Sequence, residues 1–129
     1  MDVIGNMLVQ IENANHKFKE TVDVPLSKLK LEIARVLKEE GYISGFRVSQ
    51  EKRAGSIRLT MKYTPQKERV IQGVKRVSKP GLRIYRGWSQ IPSVRNGLGT
   101  AIVSTSKGIL SGQKAKEKKL GGEVLCYVW

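Results

Sequence analysis

Three short stretches carry residue types that could do chemistry. Ser104-Thr105-Ser106-Lys107-Gly108 places three hydroxyls, an ammonium and a glycine directly after an apolar run. Hydroxyls and backbone N–H groups can bind phosphate, ribose and base edges together, and a glycine lets backbone approach a ligand closely. The plain alternative is a polar loop without a partner. The same letters spell the S-x-x-K signature of serine–lysine acyl enzymes, but the chain has neither an S-D-N nor a K-T-G segment, so acyl chemistry has no partner motif. In Arg83-Ile84-Tyr85-Arg86, strand alternation with Ile84 inward turns Arg83 and Tyr85 to the outer face. A tyrosine beside arginines can stack on an unpaired base while the arginines hold phosphate, or it can simply cover sheet surface. Arg76 and Lys79 lie just upstream and enlarge that patch. Ser27-Lys28-Leu29-Lys30 puts two lysines at a helix start, where cations oppose the dipole unless an anion is bound. A solvated face is the simpler reading of them.

The other signals are weaker. Gly97-Leu98-Gly99 lacks the third glycine of a dinucleotide fingerprint because Ile102 holds that place, and no Walker A pattern occurs. His16 falls in a polar stretch without a base or ligand partner. Cys126 alternates with apolar residues and reads as a small buried hydrophobe. Lys114, Lys116, Lys118 and Lys119 fit a phosphate-facing helix or plain solvated surface.

The balance of charge narrows the class of partner. Twenty-four Lys and Arg against eleven Asp and Glu give +13 over 129 residues, which points to a polyanion. The excess is local: residues 1–65 carry a net +3 and residues 66–129 a net +10, with no acid between Arg69 and Ile109. An apolar fraction of 40% is enough for a packed core. One cysteine cannot make an internal disulfide, and one histidine with one cysteine cannot build a His/Cys zinc site. No run of about 18 apolar residues suggests a membrane span, and the acidic N-terminus does not read as a signal peptide. No cofactor is expected.

The elements that must position these residues follow from local patterns. Asp2 can cap a helix with apolar positions Val3, Ile4, Met7, Leu8 and Ile11, ended by Asn13-Ala14-Asn15. Thr21-Val22-Asp23-Val24 reads as a strand stopped by Pro25. Ser27 caps a second helix with the stripe Leu29, Ile33, Val36 and Leu37, stapled by Leu26 and Leu31 and closed at Gly41. Phe46 and Val48, then Ile57, Leu59, Met61 and Tyr63, alternate across a hairpin containing Gly55. In the second half, residues 70–77 read as a strand, Lys79-Pro80-Gly81-Leu82 as a type II turn, and Leu82 to Arg86 as a further alternating stretch. Residues 91–95 read as a turn or helical piece, Gly99 to Ser104 as a central strand, and Ser111 as the cap of a basic helix reaching Lys119. Gly121-Gly122 stops that helix, and residues 124–129 form a final strand covered on both faces. The fold class expected is α+β: an α-β-α-β-β subdomain over 1–64, a linker at 65–69 beginning with Pro65, and a basic, mostly β subdomain with short helices over 70–129. Each half is too small to bury much surface alone, so the two should dock.

Several of these segments resemble one known family. Ser27-Lys28-Leu29-Lys30, Leu37-Lys38-Glu39-Glu40-Gly41-Tyr42-Ile43, the run Arg76 to Tyr85, Asn96-Gly97-Leu98-Gly99, Ser104 to Gly108 and the ending Gly121 to Trp129 are similar to the small ribosomal subunit protein eight family of bacterial or organellar type. The resemblance runs from about Ile4 to Trp129. It implies two α+β subdomains, no enzymatic activity, and direct binding to the central domain of small-subunit rRNA. Neighbouring small-subunit proteins are further implied partners, as is, in bacteria, the protein's own operon mRNA, which it would repress. The implied location is a cytoplasmic bacterial ribosome or an organellar one. The principal RNA surface implied by the family is Tyr85, the Ser104–Gly108 loop and Glu123. A carboxylate there can accept from base amino groups or orient a neighbouring hydroxyl or lysine; otherwise Glu123 is an exposed charge at a strand start. One segment departs from the family. Where members read A-D-M-L-T-R-I-R-N-A, residues 5–14 have Gln10 and Glu12 in place of both arginines, while Met7, Leu8 and Ile11 keep the apolar face.

The expected RNA-binding set is therefore Tyr85, Ser104, Thr105, Ser106, Lys107, Gly108 and Glu123, with Arg76, Lys79, Arg83, Arg86, Lys28 and Lys30 supplying charge. The competing reading is a nonspecific basic nucleic-acid-binding protein.

Overall fold

A computed structural model describes residues 2–50 and 54–129. The Asp2 carboxylate accepts the Gly5 N–H at 3.0 Å and opens helix α1, Val3–His16. Its buried face is Ile4, Met7, Leu8 and Ile11, while Val3 is exposed, against expectation. The helix also runs past Asn13 and places His16 in its last turn. Tertiary contacts explain the extension: the Asn15 amide donates to the Ile71 carbonyl at 2.8 Å, and Arg69 donates to the carbonyls of Asn15 (3.0 Å) and His16 (2.6 Å). The two Arg69 bonds reach carbonyls at the helix end, where intrahelical partners run out.

Strand β1 (Thr21–Pro25) leads to helix α2 (Lys28–Glu39), capped by Ser27, whose hydroxyl accepts the Lys30 N–H at 3.2 Å. Gly41 ends α2 at φ +82°, a conformation that favours glycine. Strands β2 (Ile43–Ser49) and β3 (Ser56–Met61) pair antiparallel, and β1 adds to the other edge of β3, giving the order β1-β3-β2. The tip of the expected hairpin, residues 51–53, lies outside the described residues.

The second sheet is built from β4 (Val74–Arg76), β5 (Tyr85–Arg86), β6 (Thr100–Thr105), β7 (Gly108–Ser111) and β8 (Gly122–Val128). Its order is β4-β8-β6-β7, with β5 also pairing with β8. The strand expected over 70–77 shrinks to three residues. Val74 pairs with Val128, and the amides of Gln72 and Gly73 both converge on the Trp129 carbonyl, so the ladder ends there. Lys79 and Leu82 exchange both backbone hydrogen bonds at 2.9 Å, closing a two-residue hairpin. Gly81 takes no positive φ, so this turn is not type II, which would require one at that position. Strand β7 has four residues, too few for alternation to mark it in the sequence. Ser111 at its end caps α3 (Gly112–Glu117), accepting the Lys114 N–H at 3.3 Å. This helix stops short of Lys119, which sits at φ +55°.

Helices α1 and α2 pack against both sheets, α1 on β1 and β4, α2 on β2 and β7. The larger core is accordingly shared: Met7, Ile11, Ile33, Leu37, Ile57 and Leu59 meet Ile102, Ile109, Cys126 and Val128. A smaller core of Ile91, Val94, Ala101, Val103, Leu110, Ala115 and Val124 lies on the other face of the second sheet. Polar ties cross between the halves as well. Arg35 donates to the Ile109 carbonyl at 2.8 Å, Tyr42 to the Val128 carbonyl at 3.2 Å, and Lys114 pairs with Glu39 at 3.1 Å.

Candidate nucleic-acid interface

Strand β8 is the spine of the site. Its register sets Glu123 opposite Tyr85 of β5 on one side and Ser104 of β6 on the other. Directly opposed residues of antiparallel strands share a face with Cβ atoms about 4.5–5.5 Å apart. Three expected residues from three distant segments thus form one row. The next rung is Arg86–Gly122–Thr105. A Cβ on Gly122 would lie 2.0 Å from the Ser104 carbonyl oxygen, and one on Gly121 would lie 2.6 Å from that of Arg86. Only glycine lets the flanking backbones close on β8 here. Read as a helix stop, Gly121-Gly122 was not recognised as part of the site.

The hydroxyl loop is the β6–β7 hairpin. The Thr105 hydroxyl donates to the Gly108 carbonyl at 2.7 Å and accepts the Lys107 N–H at 3.1 Å. Thr105 is therefore spent on the turn, and Gly108 serves it with φ +106°. Ser106 and Lys107 are left exposed at the tip. A Cβ on Gly108 would lie 3.5 Å from Glu32 Oε1, which sets the first turns of α2 beside the hairpin.

Glu123 is held from behind. The fully buried Ser78 hydroxyl donates to Glu123 Oε2 and accepts the Ile84 N–H at 3.2 Å. Arg83 Nη1 donates to the same Oε2 at 3.1 Å. A second ion pair sits alongside, Arg76 Nε to Asp2 Oδ2 at 3.1 Å, and Arg76 also donates to the Leu125 carbonyl at 2.6 Å. Burial raises the Asp2 carboxyl, but hydrogen bonds from Arg76 and the Gly5 N–H, with the charges of Arg76 and Arg83, outweigh it and hold the group below its ordinary 3.8.

The remaining expected residues separate into two groups. Tyr85 is 64% exposed, and Arg86, Lys79, Lys107 and Lys28 are on the surface. None of these four cations makes an ion pair with a carboxylate among the described residues. Lys79 and Arg86, with Lys75, Leu82, Ile84 and Tyr127, line an open groove of about 310 Å³. By contrast, the Arg76 side chain is only 11% exposed and is occupied by Asp2. Lys30 is 6% exposed because it falls on the same helical face as Ile33, Ala34 and Leu37. Ser78 had no sequence signal at all: a serine between Val77 and Lys79 gives no hint that Glu123, 45 positions on, will need its proton.

Tyr85, Glu123 and Ser104 share one face, with Ser106 and Lys107 at the adjoining hairpin tip, while Arg86 turns with Ile84 to the groove on the other face; exposed cations, hydroxyls and a ring are groups that suit nucleic acid. The chain belongs to the ribosomal protein S8 family, whose pattern matches residues 2–129. It is 51% identical over 129 residues to small ribosomal subunit protein uS8 of Caldicellulosiruptor bescii, covering 100% of this chain and 98% of that one. It is 52% identical over 128 residues to uS8 of Clostridioides difficile, covering 99% and 97%. Identity reaches 55% over 128 residues with uS8 of Mycoplasma mycoides, covering 99% and 98%. Membership makes this a structural ribosomal protein of the small subunit and not an enzyme, so the S-x-x-K letters at 104–107 carry no acyl chemistry.

Proposed function

We propose that this chain binds the central domain of small-subunit rRNA directly and supports its assembly, using the face that runs from Tyr85 through Glu123 and Ser104 to Ser106 and Lys107, with Lys79 and Arg86 supplying charge from the neighbouring groove. The row Tyr85–Glu123–Ser104 carries the reading. It sets a stacking ring, an acceptor and a hydroxyl side by side, and together these can read unstacked bases as well as bind phosphate. An A-form major groove is too narrow for side chains, so the target is an irregular helix with a widened groove or splayed bases. The same recognition serves its own operon mRNA wherever that mRNA folds into a matching shape, which supports a repressor role. The named relatives come from bacteria, which favours a bacterial cytoplasmic ribosome over an organellar one.

Footprinting on small-subunit rRNA, with random duplex as competitor, tests this. Protection confined to one irregular helix and resistant to random duplex is the expected result. Equal affinity for random RNA would leave only nonspecific basic binding. For roughly six neutralised phosphates, the log–log salt slope on duplex should be about −5.

A further inference from the structure

We infer that Ser78 and Arg83 are positioning residues for base recognition: they hold the Glu123 carboxylate so that its Oε1 accepts an exocyclic amino group of an unstacked RNA base lying between Tyr85 and Ser104. This rests on the RNA-binding reading above.

An acid on a cationic RNA surface needs a reason. Phosphate oxygens only accept hydrogen bonds and repel a carboxylate, so the RNA groups Glu123 can bind are donors. Ribose 2′-hydroxyls and ring N–H groups are donors too, but a base stacked on Tyr85 turns its edge toward Glu123, and on the edges of adenine and cytosine the amino group is the N–H donor. The network fixes the carboxylate for that task. Ser78 is fully buried, and its hydroxyl accepts the Ile84 N–H, so its proton is directed to Oε2. Arg83 donates to the same oxygen at 3.1 Å and balances the charge. Oε1 takes no hydrogen bond among the described residues, and the Glu123 side chain keeps 17% of its surface open. Arg83, expected to hold phosphate, is thereby committed to Glu123. Lys79, Arg86 and Lys107 remain for the backbone.

The test uses the full-length protein and the footprinted rRNA fragment, transcribed with inosine, purine riboside or zebularine phosphorothioates replacing bases at random. Each analogue removes an exocyclic amino group. With wild-type protein, at least one position should lose about tenfold in affinity, the size of one good base contact. In Arg83→Met and Ser78→Ala that penalty should fall toward onefold, with the salt slope on random duplex unchanged. Arg83 is half exposed, so Arg83→Met keeps the test valid if Ser78→Ala melts early. The inference is overturned if Arg83→Met reduces the slope by about 1 on cognate and random RNA alike, the behaviour of a phosphate contact. It is equally overturned if no amino-dependent position exists in wild type, or if the interference pattern is the same in all three proteins. Failure of wild type to prefer the rRNA fragment over random duplex would instead remove the functional reading beneath it.

Discussion

Gly122→Ala should break the site by separating its strands. The added Cβ would sit 2.0 Å from the Ser104 carbonyl oxygen, 2.9 Å from its carbon and 3.2 Å from the Thr105 Cα. Those are backbone atoms, so no side chain can swing aside. Restoring an ordinary contact means moving β8 away from β6 by more than an ångström at the Gly122–Thr105 rung, next to the one where Glu123 and Ser104 stand opposed. Overpacking of this kind costs about 1–3 kcal/mol, occasionally more, and lost ladder bonds add to it, so we expect about 3 kcal/mol. For a chain of this length that is a fall in Tm of roughly 10 °C. Thermal melting followed by circular dichroism reads it directly, with Gly45→Ala as control, since no atom of the described residues lies within 4 Å of a Cβ there. Below its Tm, Gly122→Ala should also lose most of its preference for cognate over random RNA. A Gly122→Ala protein that melts like wild type and keeps its preference would refute the close approach of β6 and β8 as the basis of the site.

Three further outcomes follow from the geometry. Tyr85→Ala should weaken cognate RNA binding by about 1–3 kcal/mol with the melting curve unchanged, because the ring is 64% exposed; a loss traced wholly to unfolding would make Tyr85 a surface cover. Ser106→Ala should lower the cognate-to-random ratio by about 0.5–1.5 kcal/mol without altering the salt slope, whereas Lys107→Ala should weaken both RNAs and reduce the slope by about 1. Paired salt titrations separate the two, and equal weakening of both RNAs by Ser106→Ala would deny the hairpin any base readout. Finally, the Asp2 carboxyl is held below its ordinary 3.8 in the folded protein. Its contribution is therefore present above that value and is lost as pH falls through the lower, folded one. Asp2→Asn keeps a capping side chain but removes the charge, costing about 1 kcal/mol at pH 7. Chemical denaturation across pH 2–7 should show wild type converging on Asp2→Asn at the acid end; a constant gap would place the stabilisation elsewhere.

The first half of the chain was legible because its signals are local. Asp2 and Ser27 cap the helices they precede, and Gly41 closes α2. The stripes at helical period name most of the buried faces. Two features of that half, the extra turn of α1 and the inward Lys30, have no local signal because they depend on Ile71, Arg69 and the shared core. The second half was less legible because β4, β5 and β7 are two to four residues long. Too few positions alternate to mark them, and what makes them strands is pairing with β8 and β6.

That the protein is basic, that the charge lies in its second half, and that Tyr85 and the Ser104–Gly108 stretch carry a ring, hydroxyls and an ammonium can all be read before folding. Composition and short-range pattern are properties of the chain before it folds. Which of those groups are free is settled by the folded packing. It spends Arg76 on Asp2, Arg83 on Glu123, and Thr105 on its own turn, and it leaves Lys79, Arg86, Ser106 and Lys107 facing outward. A charge is fixed by residue type, but its partner is fixed by strand register, and the register that sets Tyr85, Glu123 and Ser104 in one row exists only once β8 lies between β5 and β6.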